Sequence, residues 1–575
     1  MKATGSRTTR SNRAGVFLSV PSLSFLLPLL AFPILWYLRP SEFGFPLDDA
    51  WIFTVFAENL RVQGDWAFNP GEGSAGVTSL LWTRLLAWAG YWNGGGTQGS
   101  GGTFQMEVVC AWLLAFIGGF FPLVLALPRI YHPALEGGPG SRRWLAAALA
   151  FLALVHGIWF FHLYSGMETA LFVGLGVLAI VLCEERRYLA TGIVLGLLVL
   201  TRIEGSLLAG ILCVFACFRT TIFKSCLAVA LAPGLAVAAT LFHNWRVAGT
   251  VFPTTFAGRR FLFKLDPDQV HIRFFGEHLR KFVTNWFERI HEWVWMDRFL
   301  LGGDFLHIPG EFQVHPLALV LDLLMVVGGL VLFIRIWELK RWRHNAPLFL
   351  FFLWTVAHNL FYVTVLPTGG HAGRYQAMNF LWPPLLAFIG GRETVRLLLR
   401  GAGTRVIYAE RHVVGKAGGI MMILILLVPT VVSLMTWKQV LESGIHRIDS
   451  LHIEMGSWAR ENTIPAARVV VFDLGAFKMA SERYVIDQSG LLDKRGLESF
   501  QEKNSPTFYR ERRATHLFKF ERLDEPDLII DPIWKTDFVL EHRLSLDEEF
   551  GLDREAVQNT WSRCSLYRIV YSDQM

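Results

Sequence analysis

Eleven apolar blocks, most of them near the length that crosses a bilayer, constrain this chain more than any other feature. They lie at residues 15–38, 104–128, 144–164, 167–183, 188–201, 206–218, 226–243, 314–336, 347–366, 376–397 and 417–437. A membrane-spanning helix needs roughly 20 mainly apolar residues, and lipid leaves the backbone few alternatives to a helix. The expected fold class is therefore a polytopic α-helical membrane protein with about 11 transmembrane helices. Composition agrees: 53% of the 575 residues are hydrophobic and 18% are charged, against about 25% charged in soluble domains. The 21 Trp residues suit belts at the membrane–water interfaces.

Charge sets the expected topology. The pair 188–201 and 206–218 reads either as two short helices split by Thr201-Arg202-Ile203-Glu204-Gly205 or as one helix. With two helices, the inside segments carry 21 Lys and Arg residues and the short outside segments carry 5. With one, the basic runs around Lys340-Arg341-Trp342-Arg343 and 392–416 would face outward, against the positive-inside rule. The first block follows Lys2, Arg7, Arg10 and Arg13 and ends in Trp36-Tyr37-Leu38-Arg39-Pro40, without a small-residue cleavage site, so it reads as a retained span. The expectation is a multi-pass protein of the inner (plasma) membrane with a cytoplasmic N-terminus. The net charge of +6 sits largely in short loops and gives no nucleic-acid signal. The six Cys residues show neither a disulfide framework nor metal-type spacing.

Two domains are expected: a transmembrane domain over 1–437, with a first outer loop at 39–103 and a long loop at 244–313, and an extracytoplasmic α/β domain over 438–575. In the latter, a helix near 448–463 precedes strand candidates at 468–472, 484–486, 528–530, 538–540 and 566–570. Ser79 to Trp92 reads as an interfacial helix. His271 to Trp295 reads as an amphipathic helix, either a plain surface helix or one that admits a lipid.

The unusual polar clusters converge on the expected outer face. Asp48-Asp49 sits just beyond the first span. A carboxylate held near the bilayer, beside a like charge, is a candidate general base with a raised pKa. One of the pair is expected to be catalytic and the other to cap a helix or hold a divalent cation. The need for a cofactor stays open. Arg202, Arg259, Arg260, His371 and Arg374 lie on the same face, and an arginine fork matches a phosphate. Arg202 and Glu204 read equally as an ion pair bracing a helical hairpin, and His371 reads equally as a satisfied interfacial histidine.

These residues fall in seven ordered pieces: Asp48-Asp49-Ala50-Trp51-Ile52 through Asn69-Pro70-Gly71-Glu72; Gly76-Val77-Thr78-Ser79; Ser165-Gly166-Met167-Glu168; Arg202-Ile203-Glu204-Gly205; Phe252-Pro253-Thr254-Thr255; His371-Ala372-Gly373-Arg374-Tyr375; and Asp473-Leu474-Gly475-Ala476 with Asp487-Gln488-Ser489-Gly490. Together they resemble the GT-C superfamily of polyprenyl-phosphate-sugar-dependent glycosyltransferases, in particular the branch with the mycobacterial terminal β-(1→2) arabinofuranosyltransferases. The resemblance implies transfer of a sugar, such as arabinofuranose, from a polyprenyl-phosphate donor to a cell-envelope glycan, lipid or protein acceptor. It also implies inversion at the anomeric carbon, Asp48 or Asp49 as base, and Arg202, Glu204, Arg259, Arg260, His371, Arg374 and Tyr375 around the substrate. The competing classes are a transporter, for which no inverted repeat is found, and a non-catalytic envelope-assembly protein on a similar scaffold.

Overall fold

The computed structural model describes residues 26–92, 104–220, 222–262, 316–337, 346–366, 370–401, 408–502, 505–521, 536–546 and 563–571, with a few positions in 276–283 and 528–531. Helices occupy all the expected apolar blocks, the first of them from residue 26 onward. Gln105–Ala134, Phe223–Ala248, Ala346–Val365 and Gly418–Asn462 are long and apolar enough to cross a membrane singly. Leu26–Tyr37, Thr169–Glu184, Tyr188–Thr201 and Gly205–Arg219 are shorter apolar helices. The chain is a multi-pass membrane protein. Thr169–Glu184 is buried along nearly its whole length, so its apolar surface faces other helices rather than lipid.

Three segments differ in detail from the expected spans. The block at 144–164 is two helices, Pro139–Leu154 and Gly157–Tyr164, bent by 57°. Gly157 lies at the bend, where a Cβ would come within 2.2 Å of the Ser433 carbonyl. The helix expected from 376 begins at Pro383; residues His371–Leu381 form tight turns with Ala372 and Gly373 at positive φ. The last span does not stop near 437. Tyr408–Arg447 runs through a π-helical turn at Ile448–Ile453 into Glu454–Asn462. Residues 188–218 form two helices, broken at Arg202 where the backbone turns extended.

Beyond Asn462 the chain builds a six-stranded mixed sheet. The strands are β3 (Arg468–Val471), β4 (Tyr484–Asp487), β5 (His516–Glu521), β6 (Ile530–Asp531), β7 (Thr536–Ser545) and β8 (Arg563–Tyr571), in the order β4-β3-β5-β8-β7-β6. A small hairpin in the first loop supplies β1 (Ala67–Asn69) and β2 (Glu72–Gly73). β4, β3 and β5 run parallel, and the other pairings are antiparallel. Central β5 was not among the expected strands, because His516, Lys519 and Glu521 break its apolar run. Its buried Glu521 is satisfied by the hydroxyls of Ser565 at 2.7 Å and Tyr567 at 2.6 Å and by Arg563 at 3.2 Å, which removes the cost of a buried acid.

Ser79 to Trp92 is helical from Leu80. Most of the amphipathic segment 271–295 lies outside the described residues, as does the Gly-rich run 94–102.

Candidate active site

The acid pair opens the helix Asp48–Gln63, which follows an extended Leu47 and ends at a left-handed Gly64. Two carboxylates in the first turn suit the positive end of the helix dipole. Neither caps its own helix; the two point to different partners.

Asp48 reaches into the C-terminal region. Its carboxylate accepts the backbone N–H groups of Gly475 and Ala476, both at 2.8 Å. These groups open the short helix Gly475–Ser481, so Asp48 caps a helix 427 residues away. The approach is close: a Cβ on Gly475 would lie 2.4 Å from the Asp48 carbonyl and 2.7 Å from the Ile52 nitrogen. Only glycine allows that contact. Burial, then the charge of Asp473, pushes Asp48 up to about 8, against the two amide hydrogen bonds that favour the ionised form.

Asp49 faces two arginines and a histidine. Arg374 Nη2 lies 2.7 Å from its Oδ2, Arg259 Nη2 donates to both oxygens at 2.9 and 3.0 Å, and His371 Nε2 stands 3.9 Å away. Burial alone would raise this carboxyl, but Arg259, Arg374 and His371 hold it well below the usual range. Burial, then Arg374, pushes His371 down to about 4, so it is neutral at pH 7.

Three distant segments bring these groups together. Arg259 stands on the helix Thr254–Leu262, which is tied to the first loop and the C-terminal region. Thr254 N–H donates to the Ala75 carbonyl at 3.2 Å and its hydroxyl to the Leu491 carbonyl at 2.8 Å. His371 and Arg374 sit on the positive-φ turns, and Ala372 at φ 50 is a non-glycine residue in the left-handed region. Such strain costs of order 1 kcal/mol or more and aims both side chains at Asp49. The same pattern of docking recurs elsewhere: Asn69 exchanges hydrogen bonds with the Val485 backbone, and Ser74 donates to the Leu492 carbonyl. The ordered sequence pieces are largely surfaces that fit one another.

The remaining expected residues take other places. Arg202 lies 2.9 Å from Glu204 and 3.8 Å from Glu168, donates to the Tyr362 hydroxyl at 2.9 Å, and donates to the Arg374 carbonyl at 3.2 Å. The Tyr362 hydroxyl donates to Glu204 at 2.6 Å. Arg202 and Glu204 therefore form a buried brace behind Arg374. Tyr375 stacks on Tyr362 with ring centroids 5.2 Å apart and lies beneath Arg202 and Arg374. Arg260 turns away from the acids and donates to the Val365 carbonyl. Sequence reasoning missed Tyr362 and Met167, whose sulfur lies 3.8 Å from Arg374, and gave Asp473 no role, although its charge acts on Asp48. Tyr362 lies inside an apolar span, where only a three-dimensional contact shows its use.

The pair does not fit a divalent cation. Both Asp48 oxygens accept amide protons, and Asp49 is covered by two guanidinium groups that would repel a metal. No group of three or more His, Cys, Asp or Glu side chains suited to a metal occurs among the described residues.

Among family models, a domain of unknown function (DUF8728) matches residues 441–567. No curated protein matches the chain. Similar solved structures include the archaeal oligosaccharyltransferase AglB from Archaeoglobus fulgidus in complex with an inhibitory peptide and a dolichol-phosphate. It is 13% identical with a TM-score of 0.48, covering 86% of this chain and 69% of that one. ArnT from Cupriavidus metallidurans in the apo state is 12% identical with a TM-score of 0.47, covering 94% and 97%. The same protein bound to undecaprenyl phosphate gives 12% and 0.45, covering 95% and 97%.

Proposed function

We propose that this chain is a membrane glycosyltransferase of the GT-C type. In this reading it moves a sugar, a pentose such as arabinofuranose, from a polyprenyl-phosphate donor to a cell-envelope glycan, lipid or protein acceptor on the extracytoplasmic face. One observation carries the reading: a single carboxylate, Asp49, held by two arginines from separate segments of the chain. Two guanidinium groups against one carboxylate leave positive charge to spare, and the fork geometry of arginine suits a phosphate.

The chemistry follows from that arrangement. The donor phosphate takes Arg259 and Arg374 as its partners, which loosens their hold on Asp49. Asp49, now beside an anion rather than two cations, becomes a stronger base and accepts the proton of the acceptor hydroxyl. The acceptor oxygen bonds to the anomeric carbon from the face opposite the phosphate. The bond from that carbon to the phosphate oxygen breaks, and its electron pair leaves with the polyprenyl phosphate. One displacement inverts the anomeric centre. The leaving group is already a stable anion, so no general acid is needed. Asp48 keeps the acidic helix in place. The Arg202–Glu204–Tyr362 brace holds Arg374.

The test is transfer from polyprenyl-phosphate sugars in proteoliposomes, read as release of polyprenyl phosphate. Release that inverts the anomeric centre and fails in Asp49→Asn supports the reading. No release across a panel of pentose and hexose donors, or full turnover in Asp49→Asn, overturns it.

A further inference from the structure

A second basic cluster lies apart from the Asp49 site and shares no residue with it. The helices Leu80–Trp92, Tyr188–Thr201 and Phe223–Ala248 enclose a half-open cavity of about 340 Å³, lined by Leu80, Arg84, Leu200, Phe242, His243 and Arg246. Its walls are otherwise aliphatic and aromatic. Arg84 lies over the Trp66 ring at 4.9 Å, and His243 meets the same ring edge-on at 4.6 Å. The buried His243 Nε2 has no hydrogen-bond partner among the described residues. Among the described residues no carboxylate pairs with Arg84 or Arg246, and Arg84 donates to the Leu80 carbonyl at 3.3 Å.

The cavity continues a lipid-facing surface. Leu231, Leu235 and Phe242 are 53%, 63% and 60% exposed, and their spacing of four and seven residues keeps them on one face of the Phe223–Ala248 helix. Phe242 belongs both to that face and to the cavity wall. A cationic, apolar-walled recess that joins a lipid-facing stripe matches one ligand chemistry: an anionic headgroup whose chains lie in the bilayer. A soluble anion would use the arginines and leave the apolar walls wet.

We propose that this cavity binds the phosphate headgroup of a membrane lipid, with Arg84 and Arg246 pairing with the phosphate oxygens and His243 donating from Nε2. The apolar stripe beside it takes the first segments of the lipid chains. Arginine–phosphate hydrogen bonds are charge-assisted, and in a bilayer they carry a preference for anionic over zwitterionic lipid.

The full chain in nanodiscs of phosphatidylcholine, doped with a few mole per cent of either phosphatidylglycerol or undecaprenyl phosphate, gives a direct test by native mass spectrometry. Wild type is expected to retain the anionic lipid over phosphatidylcholine, and Arg246→Glu, at an exposed side chain, to cut that retention about tenfold, as loss of one charge-assisted contact implies. Arg84→Gln does the same. Retention of undecaprenyl phosphate over phosphatidylglycerol that Arg246→Glu abolishes identifies a polyprenyl lipid as the occupant, since retention at the Asp49 site does not depend on Arg246. Equal retention identifies anionic phospholipid in general, and both outcomes support the site. Asp49→Asn keeps the preference, so failure of the transferase reading leaves this result standing. Equal retention of all three lipids, a phosphatidylglycerol preference that survives both arginine variants, or full displacement by millimolar inorganic phosphate overturns the proposal.

Discussion

Arg374 Nη2 lies 2.7 Å from Asp49 Oδ2, and Arg202 holds the Arg374 backbone by donating to its carbonyl at 3.2 Å. The contact joins the helix Asp48–Gln63 to the positive-φ turn at 371–374. Arg259 closes on the same carboxylate from a third segment. The cation–anion pair that holds the resting site together is also what a phosphate donor would displace.

Replacing Arg374 or Arg259 by Lys keeps one charge and loses the fork. In donor titrations of the reconstituted chain, KM for the polyprenyl-phosphate sugar should rise about 10-fold or more for each, from a lost charge-assisted hydrogen bond of about 1.5–3 kcal/mol. The Arg260→Lys change, at a side chain turned toward Val365, should leave that KM within about 2-fold.

The two acids should separate by phenotype. Asp49→Asn should lower turnover by roughly 10²–10⁴-fold, the usual worth of a positioned base, well beyond what the loss of stability from unpairing Arg259 and Arg374 accounts for. Asp48→Ala should leave the Gly475 and Ala476 N–H groups uncapped and lower stability by about 1–2 kcal/mol. Activity and thermal melts on the same preparations distinguish the two roles.

Gly475→Ala should act through packing alone. Its Cβ would fall 2.4 Å from the Asp48 carbonyl oxygen, and backbone cannot give way as a flexible side chain would. A loss of about 1–3 kcal/mol is expected, together with faster proteolysis of residues beyond 462 in detergent-solubilised protein.

The pH dependence of stability should carry the mark of His371. Its pKa falls from 6.5 to about 4 in the folded chain, so between those values the unfolded state binds more protons. Stability must then rise with pH in that window and be lost as pH drops from about 6.5 toward 4. Thermal melts at pH 6.5 and 4.5 should show a smaller drop for His371→Gln than for wild type. An equal drop would mean that the histidine is charged in the folded state.

Much of the helical scaffold was legible because long apolar runs leave the backbone few choices. The division of 188–218 followed from the positive-inside count, which only two helices satisfy, since the charged turn at 201–205 alone reads either way. Asp49, Arg259, His371 and Arg374 were named from local sequence and lie together, but nothing local separated Arg259 from Arg260, since which neighbour faces the acid depends on helix phase against a distant partner. The exchange between Asp48 and Gly475, and the capture of Arg202 by Tyr362, join residues far apart in the chain and leave no short-range trace. β5 escaped because Glu521 is satisfied across the sheet by Arg563, Ser565 and Tyr567 of β8 and His516 by Glu541 of β7, all distant in sequence.

The hydrogen bonds from Gly475 and Ala476 to Asp48 also impose an order in time. The acidic helix leaves the ribosome well before its clamp, which is translated 427 residues later. Until that late segment has been made and docked, the helix bearing Asp49 lacks its anchor, so a nascent chain carries an unfinished site while the spans between them are still inserting. The protein would thus be silent throughout its own assembly and become competent only when its sheet closes onto the first loop.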